Sequence, residues 1–492
     1  MTDDAEDADG SRRGILDRID GHLGDGIERA IRLHHRRRLG RLGWGHALQP
    51  DAAQVWAGGD PEPRAGNSLD VLIDGAQAFP AMVESILQAR SHVHIAGWHV
   101  GAQFTVQPGD PPLSVRELLA DVAGRVNVRV LVWAGAPLPV FHPSRSDVRA
   151  ASRALAQGTA IRCVLDGRER PLHCHHEKVI IVDDEVAFVG GMDLTDLGGD
   201  RLDWSSHPNR GALGWHDVVT WLRGPVVADV VDHFAMRWRE VTGETLPGGS
   251  ALPPAGDVTV QVIRTVAERS YRAVPRGDFR ILETYLSALR SARRLIYLEN
   301  QFLWSPEIVE ILSDKLLHPP CDDFRLVVLL PSRANNGADD TRGQLGVLMA
   351  ADDGGERLVA CTLYARREGT AEPIYVHAKV AIVDDEWLTI GSANLNEHSL
   401  FNDSEMNVAC HDAALARATR MRLWAEHLEL PLDKVNKDPI ELVDCAWKPI
   451  SADQLARQRA GAPLTHRLVG LAGVSRRSDR LRGPLHGLVV DG

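Results

Sequence analysis

The chain has 492 residues, 44% of them hydrophobic and 25% charged, a composition typical of globular proteins and a length that suits two ordinary domains or one duplicated one. Its formal charge of −12, from 67 acidic against 55 basic residues, argues against a uniformly basic surface that tracks phosphates, so no nucleic-acid partner is expected. The six cysteines are scattered without a C-x-x-C pair, which fits reduced thiols in a cytoplasm and argues against structural zinc.

Residues 1–50 read as an appendix, acid-rich at first and then basic through Arg29, Arg32, Arg36, Arg37, Arg38 and Arg41. The acid-rich start lacks the apolar run of a secretory leader, and no run of 18 apolar residues reads as a spanning helix. The basic stretch predicts a surface helix. It would either pack one apolar stripe on the body or meet anionic lipid head groups.

A long internal repeat follows, in which two segments align element by element. In residues 51–246 a helical stretch at Phe79 to Arg90 leads into strand-like runs at His92 to Trp98, Val126 to Trp133 and Ile161 to Leu165, and then into His176 to Gly191. In residues 257–432 a helical stretch at Leu282 to Arg293 leads into Arg294 to Asn300, Phe324 to Leu330 and Val359 to Tyr364, and then into His377 to Ser392. Short apolar runs alternating with helical patterns predict two tandem α/β domains. The Pro- and Gly-rich residues 247–256 form a natural linker. Such a duplication predicts a pseudo-twofold arrangement with equivalent segments facing each other across the interface. Residues 433–492 read as a basic extension, and the last 40 residues, with arginines among glycines and prolines, as a mobile tail.

The chemistry lies in two H-x-K-x4-D motifs, His176, Lys178 and Asp183 in the first copy and His377, Lys379 and Asp384 in the second. On a strand, His and Lys two positions apart share a face. Each motif is followed by a turn, an apolar strand and a small-residue segment, Gly190 to Asp193 or Gly391 to Asn394. Two copies in register within a repeat point to catalysis at one site.

Phosphodiester cleavage needs a nucleophile, a proton for the leaving oxygen, and cations or donors for the equatorial oxygens. Two histidines on opposite sides of phosphorus supply the first two. Two lysines, with Ser392, Asn394 and backbone N–H groups, would hold the phosphate, so no metal or cofactor is expected. A carboxylate should fix each histidine's tautomer. Glu405 is the candidate for His377 and Asp203 for His176. Asp183 and Asp384, on the opposite strand parity, should brace the motif.

At these residues the chain resembles the phospholipase D family, over about residues 66 to 430. Supporting segments include Ile95 to Trp98, Ala187 to Leu194, Trp215 to Asp217 and Tyr297 to Gln301. The resemblance implies paired α-β-α sandwich domains with the active site at their interface. It also implies a two-step, metal-independent reaction through a phosphohistidine, with His176 as nucleophile, His377 as general acid and base, and Lys178, Lys379 and Asn394 on phosphate. Asn300 and Gln301 would line the pocket. The first copy has Gly191 and Asp193 where the second has Ser392 and Asn394, so it offers fewer donors.

The expected function is hydrolysis of a glycerophospholipid to phosphatidic acid and an alcohol, or transfer to another alcohol, by a monomer in the cytoplasm that works peripherally at a membrane surface. Cardiolipin-synthase-like transfer, a superfamily nuclease and an idle membrane-binding protein are the alternatives.

Overall fold

The computed structural model describes residues 24–51, 54–137, 142–170, 173–195, 214–333, 338–367 and 370–473. Two regions with the same strand order organise them. From one edge, the first runs Arg162–Asp166, Asn127–Trp133, His92–Gly97, Val179–Val182, Val186–Gly190, Val218–Arg223 and Arg64–Ile73. The second runs Leu358–Arg367, Arg325–Leu329, Leu295–Glu299, Val380–Val383, Trp387–Gly391, Glu405–His411 and Val258–Val266. In both, the first three strands are mutually parallel and every later pairing is antiparallel.

The two regions join into one 18-stranded sheet of a mixed α/β fold. Arg64–Ile73 pairs with Val258–Val266, and Gly214–His216 runs parallel to Thr370–Val376. Residues 247–256 carry no regular secondary structure.

The motif strands are apolar at every position because both of their faces are covered. Val179 and Ile181 share one apolar core with Val380 and Ile382 of the other half. Ile180 and Val182 pack instead with Phe79 and Leu118, while Ala381 and Val383 pack with Leu282 and Leu286. Each such valine or isoleucine contributes about 1.5–3 kcal/mol by leaving water.

Each motif strand ends in a tight turn with two aspartates in the left-handed region, Asp183 and Asp184 at φ 56° and 57°, Asp384 and Asp385 at 54° and 55°. Aspartate tolerates this conformation better than most residues. Asp183 then accepts the backbone N–H groups of Arg90, Ser91 and His92 at 2.8–2.9 Å, and Asp384 those of Arg293, Arg294 and Leu295 at 2.7–2.8 Å. Although burial pushes upward, these three N–H groups hold the Asp183 carboxyl below its ordinary range.

Residues 24–42 are helical, and the helix is docked on the body. Arg38 grips Glu268 and donates to Asn402 and to the carbonyl of Phe401, while His35 meets Glu307 at 2.7 Å and stacks on Phe401 at 3.8 Å. The basic character therefore serves packing at these two positions. The mobile-tail expectation is corrected as far as residue 473: Lys448–Arg459 is a helix, and Leu468–Gly470 adds a strand to Leu358–Arg367. The arginines misled the sequence reading because they face acids, Arg457 with Asp453 and Arg467 with Glu426, while Leu468 and Val469 are fully buried. Residues 474–492 lie outside the described residues.

Candidate active site

The two motifs enter the sheet later than alternation suggests. His176 and Lys178 precede the strand Val179–Val182, and His377 and Lys379 precede Val380–Val383. Their backbone is used across the molecule. The N–H groups of His176 and Glu177 donate to Ser404 O at 2.9 and 3.0 Å, and those of His377 and Ala378 to His216 O at 2.8 and 3.1 Å. Each motif is thus stitched to the opposite half just ahead of that half's carboxylate.

This crossing corrects the carboxylate assignment. Nδ1 of His176 lies 3.0 Å from Glu405 Oε1, so Glu405 serves His176 and not His377. Nδ1 of His377 lies 2.7 Å from Asp217 Oδ2. Asp203 lies outside the described residues. When ionised, each carboxylate only accepts, so Nδ1 of its histidine then carries the proton and Nε2 is left to take up or give one. All four side chains are buried, which strengthens both contacts.

The two carboxylates are held differently. Glu405 accepts the hydroxyl of Ser399 at 2.5 Å and that of Ser392. Burial pushes its carboxyl up to about 8, against the pull of Lys178 and the two hydroxyls. Asp217 Oδ1 accepts its neighbour Val218 N–H at 2.9 Å. Gly191 packs directly on Asp217, since a Cβ there would sit 2.1 Å from Oδ1.

Lys178 donates to His176 O at 2.6 Å and pairs with Asp193 at 3.1 Å. Lys379 donates to His377 O at 2.6 Å and to Gln301 Oε1 at 3.1 Å, and Asn394 reaches the same Gln301 oxygen at 3.3 Å. Lys379, Gln301 and Asn394 are therefore brought together. Ser392 and Asn300 sit differently from expectation. The Ser392 hydroxyl buttresses Glu405, and Asn300 Oδ1 accepts the N–H groups of Phe302 and Leu395 at 3.1 and 3.0 Å, bracing a turn. Asp183 and Asp384 stand at the far ends of the motif strands, bonded to backbone.

Residues missed in the sequence surround His377. The Trp215 ring lies 4.5 Å from its ring and 4.7 Å from that of Tyr375. His216, whose carbonyl receives the motif, is itself clamped between Asp74 and Glu299 at 2.8 Å each. Burial alone would lower its pKa, but these two carboxylates raise it well above the ordinary value. Glu299 also meets His427 at 2.9 Å. The signal for Asp217 was present in sequence: Trp215-His216-Asp217 precedes its strand as Asp403-Ser404-Glu405 opens the equivalent one.

Comparison with known proteins fits this arrangement. Residues 359–458, which contain the second motif, match the family model for phospholipase D. Phospholipase D A of Dictyostelium discoideum is 25% identical over 475 residues, covering 75% of this chain. Phospholipase D alpha 1 of Cynara cardunculus is 24% identical over 566 residues, covering 80% of it. The chain spans 37% of the length of the first relative and 70% of the second. The crystal structure of phosphatidylserine synthase from Haemophilus influenzae shares the fold with a TM-score of 0.50 and 11% identity, over 80% of this chain and 93% of that one. The family-model match over the second motif, and relatives matched along three quarters or more of the sequence, make this chain similar to the phospholipase D family, and the solved structure shares its fold.

Proposed function

We propose that the protein cleaves phosphodiesters of glycerophospholipids by phosphatidyl transfer through His176. The reading is carried by the crossed histidine–carboxylate pairs: the rings remote in sequence are each fixed at Nδ1 by an acid presented from the other half. The relatives named phospholipase D supply the substrate class.

His176 Nε2 attacks phosphorus and the P–O bond to the head-group alcohol breaks, with His377 giving its proton to the departing oxygen. Asp217 steadies the His377 imidazolium before that transfer. His377 Nε2 then takes a proton from water or an alcohol whose oxygen attacks phosphorus, and the P–N bond breaks. Phosphatidic acid or a new phosphatidyl ester leaves. Lys178, Lys379 and Asn394 hold the equatorial oxygens, where charge develops. The lipid is reached at a membrane surface, and among the described residues no helix is long and apolar enough to cross a membrane.

The test is mass spectrometry of products from mixed phospholipid vesicles with and without ethanol. Phosphatidic acid, replaced in part by phosphatidylethanol when ethanol is present and absent with His176→Ala, is the expected result. Cleavage of plasmid DNA in EDTA with no lipid product would overturn it.

A further inference from the structure

A second cluster of metal-ligating side chains lies beside the site and has no part in the chemistry above. His173 Nδ1 is 3.1 Å from His398 Nδ1 and 3.5 Å from Asp403 Oδ1, and the three donor atoms lie within 4.8 Å of one another. His173 comes from the segment leading into the first motif. His398 lies on the helix Glu397–Phe401 of the other half, with Asp403 in the turn that follows.

Hydrogen bonding within the protein leaves this cluster incomplete. Asp403 is 1% exposed, and its Oδ2 has no hydrogen-bond partner among the described residues. A bare carboxylate oxygen in the interior is costly unless something positive meets it. Asp403 Oδ1 accepts Cys174 N–H at 2.9 Å, which orients the carboxylate toward the histidines as a supporting shell would.

The spacing suits a small divalent ion. Zinc bonds of about 2.0–2.1 Å at tetrahedral angles place donor atoms roughly 3.3–3.4 Å apart, and the observed 3.1 and 3.5 Å bracket that edge. The His173 side chain is 17% exposed, so water can reach a fourth position. The neighbouring cation Arg170 is held by Glu268 at 3.2 Å, which offsets its repulsion. In the fully buried cluster of His216, Glu299 and His427 the facing ring nitrogens and carboxylate oxygens are instead already joined in hydrogen bonds of 2.8–2.9 Å. The atom there without a hydrogen-bond partner among the described residues, His427 Nδ1, is not one of those facing atoms.

We propose that His173, His398 and Asp403 bind a divalent transition-metal ion, zinc by geometry, that fastens the segment before His176 to the helix bearing Ser399. The proton shared between the two Nδ1 atoms leaves as the ion enters. Ser399 holds Glu405 at 2.5 Å, and His173 lies three residues ahead of His176, so the ion ties together the two supports of the first histidine.

The experiment is titration of chelator-treated, full-length protein with Co2+ as a spectroscopic probe, followed by Zn2+. One equivalent with the intense visible absorption of a tetrahedral site, displaced by Zn2+, is expected. His173→Ala, at the partly exposed ligand, should weaken Co2+ binding by more than about 100-fold with an unchanged circular dichroism spectrum. Asp403→Asn should do the same, and His318→Ala, remote and exposed, should change nothing. Absence of Co2+ binding, a weak octahedral spectrum, or a tetrahedral spectrum that survives His173→Ala would overturn the proposal.

Discussion

His377 faces a short carboxylate, Asp217, and His176 faces a long one, Glu405. Around Asp217 the opposing hairpin offers Gly191, because any side chain there would collide with the acid. Around Glu405 the equivalent position is Ser392, whose hydroxyl bonds the carboxylate. The Gly and Ser that distinguish the two copies therefore reflect how each acid is seated, and not how many donors reach phosphate. Asp217 is seated by close packing against Gly191 and by the Val218 N–H. Glu405 is fixed by two hydroxyls in a dry pocket that raises its pKa.

The largest effects should come from the histidines. His176→Ala and His377→Ala should each lower kcat by about 10^3-fold or more. A phosphodiester with a p-nitrophenolate leaving group, which departs without a proton, breaks the symmetry between them: it should restore much of the first step to His377→Ala and none to His176→Ala, as read by burst kinetics.

Next come the acids. Asp217→Asn and Glu405→Gln should each cost roughly 10^2–10^4-fold in kcat while leaving KM near its starting value, since both act on the tautomer of a histidine. A third contrast is steric. Gly191→Ser should destabilise the fold by about 1–3 kcal/mol in denaturant unfolding through steric clash, whereas Ser392→Gly should cost about 1–3 kcal/mol through the lost hydroxyl bonds to Glu405 and to the Met406 backbone.

The smallest effect is the shape of the pH profile. Ionised Glu405 is the form that accepts from His176 Nδ1, so kcat/KM should rise with pH through about 8. Ser392→Ala removes a donor to the carboxylate and should move that limb to higher pH. Glu405→Gln should abolish it. The same shift has the opposite sign for stability: the folded pKa lies above the unfolded one, so Glu405 favours the fold fully below the ordinary carboxylate range, and that contribution is lost as pH rises to about 8.

Much of this was legible in the sequence. Apolar runs such as Val179–Val182 and Val380–Val383 announce buried strands, and their paired recurrence announces the repeated sheet order. Strand parity suggested that Asp183 and Asp384 brace the motif, but the His and Lys precede the strands. The bracing comes from the turns that end the strands, where each aspartate accepts three backbone N–H groups. The crossed carboxylates were not legible, because nearness in sequence assigned Glu405 to the motif of its own half, whereas the backbone bonds from His176 to Ser404 and from His377 to His216 carry each acid to the other. Nor could the pattern of arginines separate a lipid-facing helix from a docked one. Buried contacts of His35 and Arg38 dock the helix, and their partners Glu307, Glu268 and Asn402 lie more than 200 residues downstream.

The central claim, that His176 takes the phosphatidyl group while His377 moves protons, is tested most directly by alkaline quenching of the enzyme during turnover and mapping the modified peptide by mass spectrometry. A phosphatidyl adduct on His176, accumulating further in His377→Ala with the activated substrate, is the expected outcome. An adduct on His377, or product formation by His176→Ala at the native rate, would contradict it.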